Sequence, residues 1–153
     1  MSIITDDMVA IIRAAILSFV ATVNEDNSPN LSPKASLMAR RDELFFADMD
    51  SPRTIRNLRR NPAIAINVVD IFSRRGYRFR GIGAVLEPGD PDFDFVAEWV
   101  WGINGRNYPV NAVVRTTVIE ALPLYSPAYK FGAGISEQDL RNSFMQKYGV
   151  RSE

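Results

Sequence analysis

The stretch Glu43–Pro62, ELFFADMDSPRTIRNLRRNP, combines a strand, a turn and a helix start, and the rest of the chain is interpreted around it. Glu43–Asp48 is a strand-like run with two aromatic residues at its centre, and Met49–Asp50 predicts the turn that follows. Ser51 is a favourable N-cap because its hydroxyl can accept a hydrogen bond from an early helical amide. Pro52 fits the first helical position, where its missing N–H costs nothing. The stretch therefore predicts a strand–turn–helix unit.

The predicted start of this helix carries an unusual charge. Arg53 and Thr54 occupy the first turn, where the helix dipole usually favours acidic residues. Free backbone amides, two hydroxyls and a guanidinium at one helix start are the groups that bind a phosphate. The alternative is an ordinary capped surface helix whose Arg53 side chain points into water, because Ser-Pro helix starts are common.

The composition is that of one soluble globular domain spanning residues 1–153, with 46% apolar and 24% charged residues. Lys plus Arg equals Asp plus Glu, at 18 each, which argues against nucleic acid or an anionic membrane as the main partner. No apolar run is long enough to span a membrane. The N-terminal residues lack the basic start and apolar run of a signal peptide, so a cytoplasmic location is expected.

Cysteine and histidine are both missing from the sequence. Without cysteine the chain has no disulfides, thiolate nucleophile or Cys-zinc site. Without histidine it lacks the commonest general base and metal ligand, and no metal site is predicted. If the protein is an enzyme, a bound organic cofactor is expected to carry the difficult chemistry.

Hydrophobic periodicity predicts six strands and four helices. The strands are expected at 18–23, 30–38, 43–48, 63–69, 77–86 and 110–124. The helices are expected from a Thr5 cap to about residue 17, from Ser51 to about residue 60, over 92–102, and after a Ser136 cap. Because most strands are joined by short turns, we expect a mainly β fold with flanking helices, in which an antiparallel sheet closes into a small barrel.

Three local features refine this prediction. Pro33 cannot donate to a sheet ladder, so an edge, bulge or bend is expected in strand 30–38. Lys34 and Ser36 share a face if that strand is regular, and this face is either solvated or turned toward an anion. Gly81 predicts a bulge or sharp bend in strand 77–86, as does Gly83.

The helix predicted over 92–102 carries both tryptophans of the chain. Phe95, Trp99 and Gly102 are expected to share one side of it, with Val96 and Val100 close by. Because Trp99 and Trp101 are two residues apart, they cannot face the same way. One of them is expected in the core and the other exposed or at an interface.

Three segments together resemble one known family: FVATVNEDNSPNLSPKASLM, LFFADMDSPRTIRNLRRNPAIAINVVD and FSRRGYRFRGIG. They are similar to FMN-binding split-barrel proteins related to pyridoxamine 5'-phosphate oxidase, and the likeness runs from about Phe19 to Leu86. The later segment Val118–Tyr129 is also similar. The resemblance implies an antiparallel six-stranded split β-barrel that forms a homodimer, with two FMN sites at the subunit interface.

The same resemblance implies a set of cofactor-binding residues. The FMN phosphate would be held by two elements, the second strand and the start of the helix that follows the third strand. The flavin ring would lie along the third strand, mainly against backbone groups. The residues implied are Lys34 and Ser36 from the second strand, Ser51, Arg53 and Thr54 from the helix start, and Phe46, Ala47 and Asp48 along the ring.

The sequence also departs from pyridoxamine 5'-phosphate oxidases. Their helix start resembles Ser-Arg-Lys, whereas this chain has Ser-Pro-Arg, and their C-terminal Arg- and His-containing motif has no counterpart here. We therefore expect a general, substrate-unassigned branch: an FMN-dependent oxidoreductase of an unidentified small molecule. Alternatives are a non-catalytic flavin-binding or electron-transfer protein, and an F420-dependent reductase. Candidates for the substrate side are Tyr77, Arg78, Arg80 and Arg106.

Overall fold

The computed structural model describes residues 2–151. Seven strands are present: β1 (Ser18–Val23), β2 (Pro29–Lys34), β3 (Met38–Arg40), β4 (Glu43–Asp48), β5 (Ala63–Asp70), β6 (Arg75–Leu86) and β7 (Ala112–Tyr125). The helices are α1 (Asp6–Ala15), α2 (Pro52–Arg60), α3 (Pro91–Asn104), α4 (Ala128–Phe131) and α5 (Glu137–Lys147). The short α4 was not predicted, since four residues are too few to show helical periodicity.

All seven strands form one antiparallel sheet in the order β2-β1-β5-β6-β7-β4-β3. Its two edge strands, β2 and β3, are consecutive in the chain and are joined by residues 35–37. The sheet therefore curls back on itself, and we call the line where its edges meet the seam. This architecture confirms the predicted mainly β split barrel.

The predicted strand 30–38 is two strands, which is why the sheet has seven strands and not six. The ladder with β1 ends at Lys34, and β3 begins a separate ladder with β4 at Met38. Between them the Ser36 hydroxyl bonds the backbone of Ala47, accepting from its N–H at 3.0 Å. A side chain thus replaces the ladder where the chain crosses the seam.

Strand β4 separates two hydrophobic clusters because successive side chains point to opposite faces. Phe46 is fully buried inside the barrel with Ile66 and Phe79. Phe45 and Ala47 point the other way, against the inner face of α3. Burial on both sides explains why β4 lacks the polar–apolar alternation of a half-exposed strand.

The prediction for α3 was correct in grouping Val96 and Val100, which are buried, and wrong in placing one of its two tryptophans in the core. Phe95 is 46% exposed, and Trp99 and Trp101 are both half-buried at the margin of the second cluster. The residues that face the sheet are Phe93, Val96, Ala97 and Val100. The helix is apolar on more than one side, so periodicity did not reveal which side the sheet would cover.

Other local predictions are confirmed. Thr5 caps α1 by accepting from Met8 N at 3.3 Å, and Ser136 caps α5 by accepting from Asp139 N at 3.0 Å. The β6–β7 register shifts next to Gly81, where a Cβ atom would lie 2.2 Å from the Thr117 carbonyl oxygen. The bulge therefore requires glycine at this position.

We expect Thr116→Val to stabilise the protein by about 1 kcal/mol, since an unpaired buried hydroxyl carries a desolvation cost. Thr116 is fully buried, and its hydroxyl has no hydrogen-bond partner within residues 2–151. Urea unfolding measures the change. Thr22→Val is the matched control and should destabilise, because the Thr22 hydroxyl accepts bonds from Asn30 and Asn57. A less stable Thr116→Val variant would show that this hydroxyl is paired.

Candidate functional site

Lys34 is the last residue of β2 and its side chain points into the seam, where it is 7% exposed. Its ammonium donates to the Ser32 hydroxyl at 2.9 Å and to the Ser51 hydroxyl at the start of α2. Its Nζ also lies 5.9 Å from the centre of the Phe46 ring. Lys34 therefore links the edge of the sheet to the helix start.

The charge of Lys34 is poorly compensated. Within residues 2–151 its ammonium has no carboxylate close enough for an ion pair, and both of its hydrogen-bond partners are neutral hydroxyls. Burial lowers the pKa of Lys34 below its ordinary value, and the nearby Asp48 carboxylate offsets part of this shift. A buried cation without a counter-charge favours the binding of an anion.

Ser51 occupies the predicted N-cap position of α2, but its hydroxyl does not cap the helix. The hydroxyl accepts from Lys34 instead, and the Ser51 N–H donates to Asp48 Oδ1 at 2.8 Å. No side chain caps α2, so the first amides after Pro52 are left for a ligand. With a positive helix end beside a buried ammonium, this is an anion-binding arrangement.

Arg53 and Thr54 lie in the first turn of α2 and differ in environment. Arg53 is exposed and forms no hydrogen bond or ion pair in the described part of the chain, so its guanidinium is free to meet a ligand. Thr54 is 1% exposed, and its hydroxyl accepts from Asn30 Nδ2 at 3.4 Å. Its side chain therefore anchors the helix start to β2.

The other predicted residues lie around the seam in different roles. Ser36 is buried and holds the backbone of Ala47, and Asp48 is buried and supports the turn before α2. The side chains of Phe46 and Ala47 are core residues, so only their backbone groups can meet a ligand. The structure thus brings Lys34 and Ser51 into contact at the start of α2 and places Ser36 further along the seam.

Sequence reasoning missed Ser32 and Asn30, which lie on the same face of β2 as Lys34. Ser32 contacts the ammonium, and Asn30 contacts Thr54. The sequence pattern could have revealed them. Asn30, Ser32 and Lys34 are spaced two apart and alternate with Leu31 and Pro33, as expected for polar residues on one face of a strand.

The candidates for the substrate side are engaged elsewhere. The Tyr77 hydroxyl donates to Asp7, and burial together with that carboxylate raises the pKa of Tyr77 to about 12. The three arginines each have a partner: Arg78 bonds Asn67, Arg80 pairs with Glu120, and Arg106 pairs with Glu98.

Residues 2–151 contain no cluster of three or more acidic side chains that could hold a metal ion. None of their helices combines the length and apolar character needed to cross a membrane.

A protein-family model described as "Pyridoxamine 5'-phosphate oxidase", covering its N-terminal part, matches residues 4–121 of the chain. The matched range contains the whole seam and all eight predicted cofactor residues. It ends before α4 and α5. No curated protein matches the chain.

Several solved structures share the fold. HupZ of Group A Streptococcus is 28% identical, with a TM-score of 0.72 and coverage of 81% of this chain and 96% of HupZ. An FMN-binding protein from Syntrophomonas wolfei is 21% identical, with a TM-score of 0.66 and coverage of 78% and 84%. A protein described as F420 reductase is 17% identical, with a TM-score of 0.60 and coverage of 78% and 98%. The last two similarities show the fold alone.

Proposed function

The chain belongs to the pyridoxamine 5'-phosphate oxidase family, and from this membership we propose that it is an FMN-dependent oxidoreductase of a small molecule. The observation that carries the proposal is the Lys34 ammonium, which is buried at the start of an uncapped helix without a carboxylate partner among the described residues. The phosphate of FMN would supply the missing negative charge.

The residues present fit this cofactor. The Lys34 ammonium, the Ser51 hydroxyl and the first amides of α2 would bind the phosphate, and the free Arg53 guanidinium would close over it. The ring would lie along the seam beside Ser36, Ala47 and Asp48. When bound, FMN would supply hydride transfer, which agrees with the absence of histidine and cysteine from the sequence.

The first test is an absorption spectrum of the purified protein, with mass identification of anything released on denaturation. A yellow protein releasing FMN supports the proposal. Riboflavin, which lacks the phosphate, should bind at least about 100-fold more weakly than FMN, since several charge-assisted bonds are lost. Equal affinities would contradict the assignment of Lys34 to the phosphate. If the protein binds F420 more tightly than FMN, an F420-dependent reductase is the better assignment. If it binds FMN without turnover, it is an electron carrier.

The affinity for FMN should fall at alkaline pH, starting below the ordinary pKa of a lysine. Phosphate binding requires a protonated Lys34, and burial lowers the pKa of this group. The free energy of unfolding of the ligand-free protein should instead rise with pH over this range. The reason is that the folded state loses the Lys34 proton at a lower pH than the unfolded state does. Titrations of FMN between pH 7 and 10 measure the first effect. A Lys34→Met variant should lack this decline, and an unchanged decline would assign it to another group.

The partner in this proposal is a second copy of the chain, packed on the outer face of the sheet. This face has two adjoining grooves of about 490 and 500 Å³ that share Ala21 and Ala65. Its lining includes four exposed apolar side chains, Phe19, Leu31, Ile82 and Ile119, beside the polar Asn67, Arg78 and Arg80. A sheet face in contact with water normally has polar residues at alternate positions, so this pattern favours a covered face.

We expect Leu31→Asp to shift the protein from dimer to monomer, because it replaces an apolar contact of the interface with a carboxylate whose desolvation costs free energy. Leu31 is 66% exposed in the single chain, so folding of the monomer should be unaffected. Light scattering after size exclusion measures the mass. Val150→Asp, near the C-terminus, is the control and should stay dimeric. A dimeric Leu31→Asp variant would place the interface elsewhere.

A further inference from the structure

A second concave site lies between α1 and α3, with β3 as its floor. This α1–α3 groove has a volume of about 570 Å³, and its floor includes Leu37 and Met38. Ala35 and Leu37 line it and flank Ser36 in the sequence, so the groove adjoins the seam. A groove of this size fits a small organic ligand.

One wall of the groove is an exposed apolar stripe on α3. Phe95, Trp99 and Ile103 follow one another at four-residue spacing, and all three line the groove. Phe95 and Ile103 are 46% and 64% exposed, although α3 already buries another side against the sheet. Two aromatic side chains on one wall favour stacking with a flat ring.

The opposite wall ends in a strained residue. Ile16 follows α1 with φ 62° and ψ −53°, and the Leu17 N–H donates to the Ala15 carbonyl at 2.6 Å. This is a classic γ-turn, which is rare and unfavourable for a β-branched residue. The turn leaves the Ile16 side chain exposed at the edge of the groove. Strain of this kind is concentrated at ligand sites.

The polar groups of the groove are cationic. Arg13 lines it and forms no ion pair within residues 2–151. Arg40 lies 4.1 Å from the Phe95 ring and pairs with Asp92. Asp92 also pairs with Arg41 and Arg115, and Arg115 pairs with Glu43 as well, so each of these arginines has a carboxylate partner, whereas Arg13 has none within residues 2–151. The groove therefore favours one negative charge on an otherwise apolar ligand.

We propose that the α1–α3 groove binds a flat aromatic carboxylate, with its ring between Ile16 and Trp99 and its carboxylate near Arg13. Its assignment as the substrate class rests on the proposed flavin function, whereas binding to the groove does not. An unphosphorylated acid is favoured because, within residues 2–151, the only groove-lining cation without an ion pair is the exposed Arg13 guanidinium. The buried Lys34 and the start of α2 lie at the seam and do not line the groove.

The test uses the two tryptophans as reporters, with 2-naphthoate as the probe and no FMN present. Trp99 lines the groove, whereas the Trp101 indole N–H donates to the Tyr108 carbonyl outside it. In ¹H–¹⁵N NMR spectra of the full chain, the Trp99 indole signal should shift on titration and the Trp101 signal should stay. A Trp99→Phe variant assigns the two signals.

Arg13→Gln should weaken binding of 2-naphthoate about fivefold, the effect of one exposed ion pair, and leave binding of neutral 2-naphthalenemethanol unchanged.

Absence of a Trp99 shift at millimolar 2-naphthoate would overturn the proposal. Displacement of 2-naphthoate by FMN, with the same Trp99 shift, would also overturn it by assigning the groove to the flavin. A monomeric Trp99→Asp variant would overturn it by assigning the groove to the subunit interface. A colourless protein that still binds 2-naphthoate here would support the groove while refuting the flavin proposal.

Discussion

Lys34→Met is expected to weaken FMN binding by about 2–3 kcal/mol, or roughly 30- to 150-fold. The ammonium is buried beside the Ser51 hydroxyl, so its bond to a phosphate would be poorly screened by water. Methionine retains the length and apolar stem of the side chain but removes the charge. Fluorescence titration of the ligand-free protein with FMN measures the effect.

The same variant should be as stable as the wild type or more stable when no ligand is bound. Burial lowers the pKa of Lys34, which means that folding disfavours its charge. Weaker binding together with undiminished stability is the signature of a residue kept for a ligand. The reverse result, a loss of stability with unchanged FMN affinity, would show that Lys34 has only a structural role, which is to hold β2 against the start of α2.

Two variants calibrate this measurement. Arg53→Ala should have a smaller effect on FMN affinity than Lys34→Met, because the exposed Arg53 guanidinium is screened by water. Lys147→Met, on the exposed side of α5, should leave affinity unchanged. If Lys147→Met weakens binding equally, the effect comes from net charge and not from the site.

Phe46→Ala is expected to lower the free energy of unfolding by about 3–5 kcal/mol, the range for removing a buried phenyl ring. Phe46 is fully buried in the barrel cluster and lies on β4, the strand that separates the two clusters. Urea unfolding monitored by circular dichroism measures the loss. Such a loss would be a large share of the stability of a domain of this size.

The control for this variant separates a core role from a cofactor role. Phe46→Leu keeps most of the apolar volume and should recover the greater part of the lost stability. Both variants should bind FMN within a few-fold of wild type when folded, because the Phe46 ring is fully buried in the core. A large loss of affinity in a stable Phe46→Leu variant would show that the ring itself contacts the flavin.

Most of the fold could be predicted from local patterns in the sequence. The caps at Thr5 and Ser136, the strand–turn–helix unit around Ser51, and the bulge at Gly81 all depend on residues that interact within a few positions. The short turns between most strands predicted the closure of the sheet, and the resemblance to a known family added the split-barrel type. The break at Ser36 was only partly anticipated, since Pro33 signalled an irregularity but not its position.

Less of the site could be predicted. Ser51, Pro52 and Arg53 predicted the start of α2. The anion-binding character of this start was also predictable, because every helix start has free amides and the positive end of the dipole. The prediction that the Ser51 hydroxyl caps α2 was wrong. This hydroxyl accepts from Lys34, which lies 17 positions away in the sequence and reaches Ser51 only when the barrel has closed. The prediction that one of Trp99 and Trp101 lies in the core was also wrong, because both are half-buried.

The sequence by itself determined most of the helices and strands and the cationic start of α2. These follow from short-range sterics, hydrogen bonding and composition, which act along the chain. Only the tertiary structure decided that Lys34 is buried without an ion pair among residues 2–151, that Phe46 is a core residue, and that Trp99 faces a groove. Each of these depends on which surfaces meet across the sheet, and burial and electrostatic environment are properties of that contact.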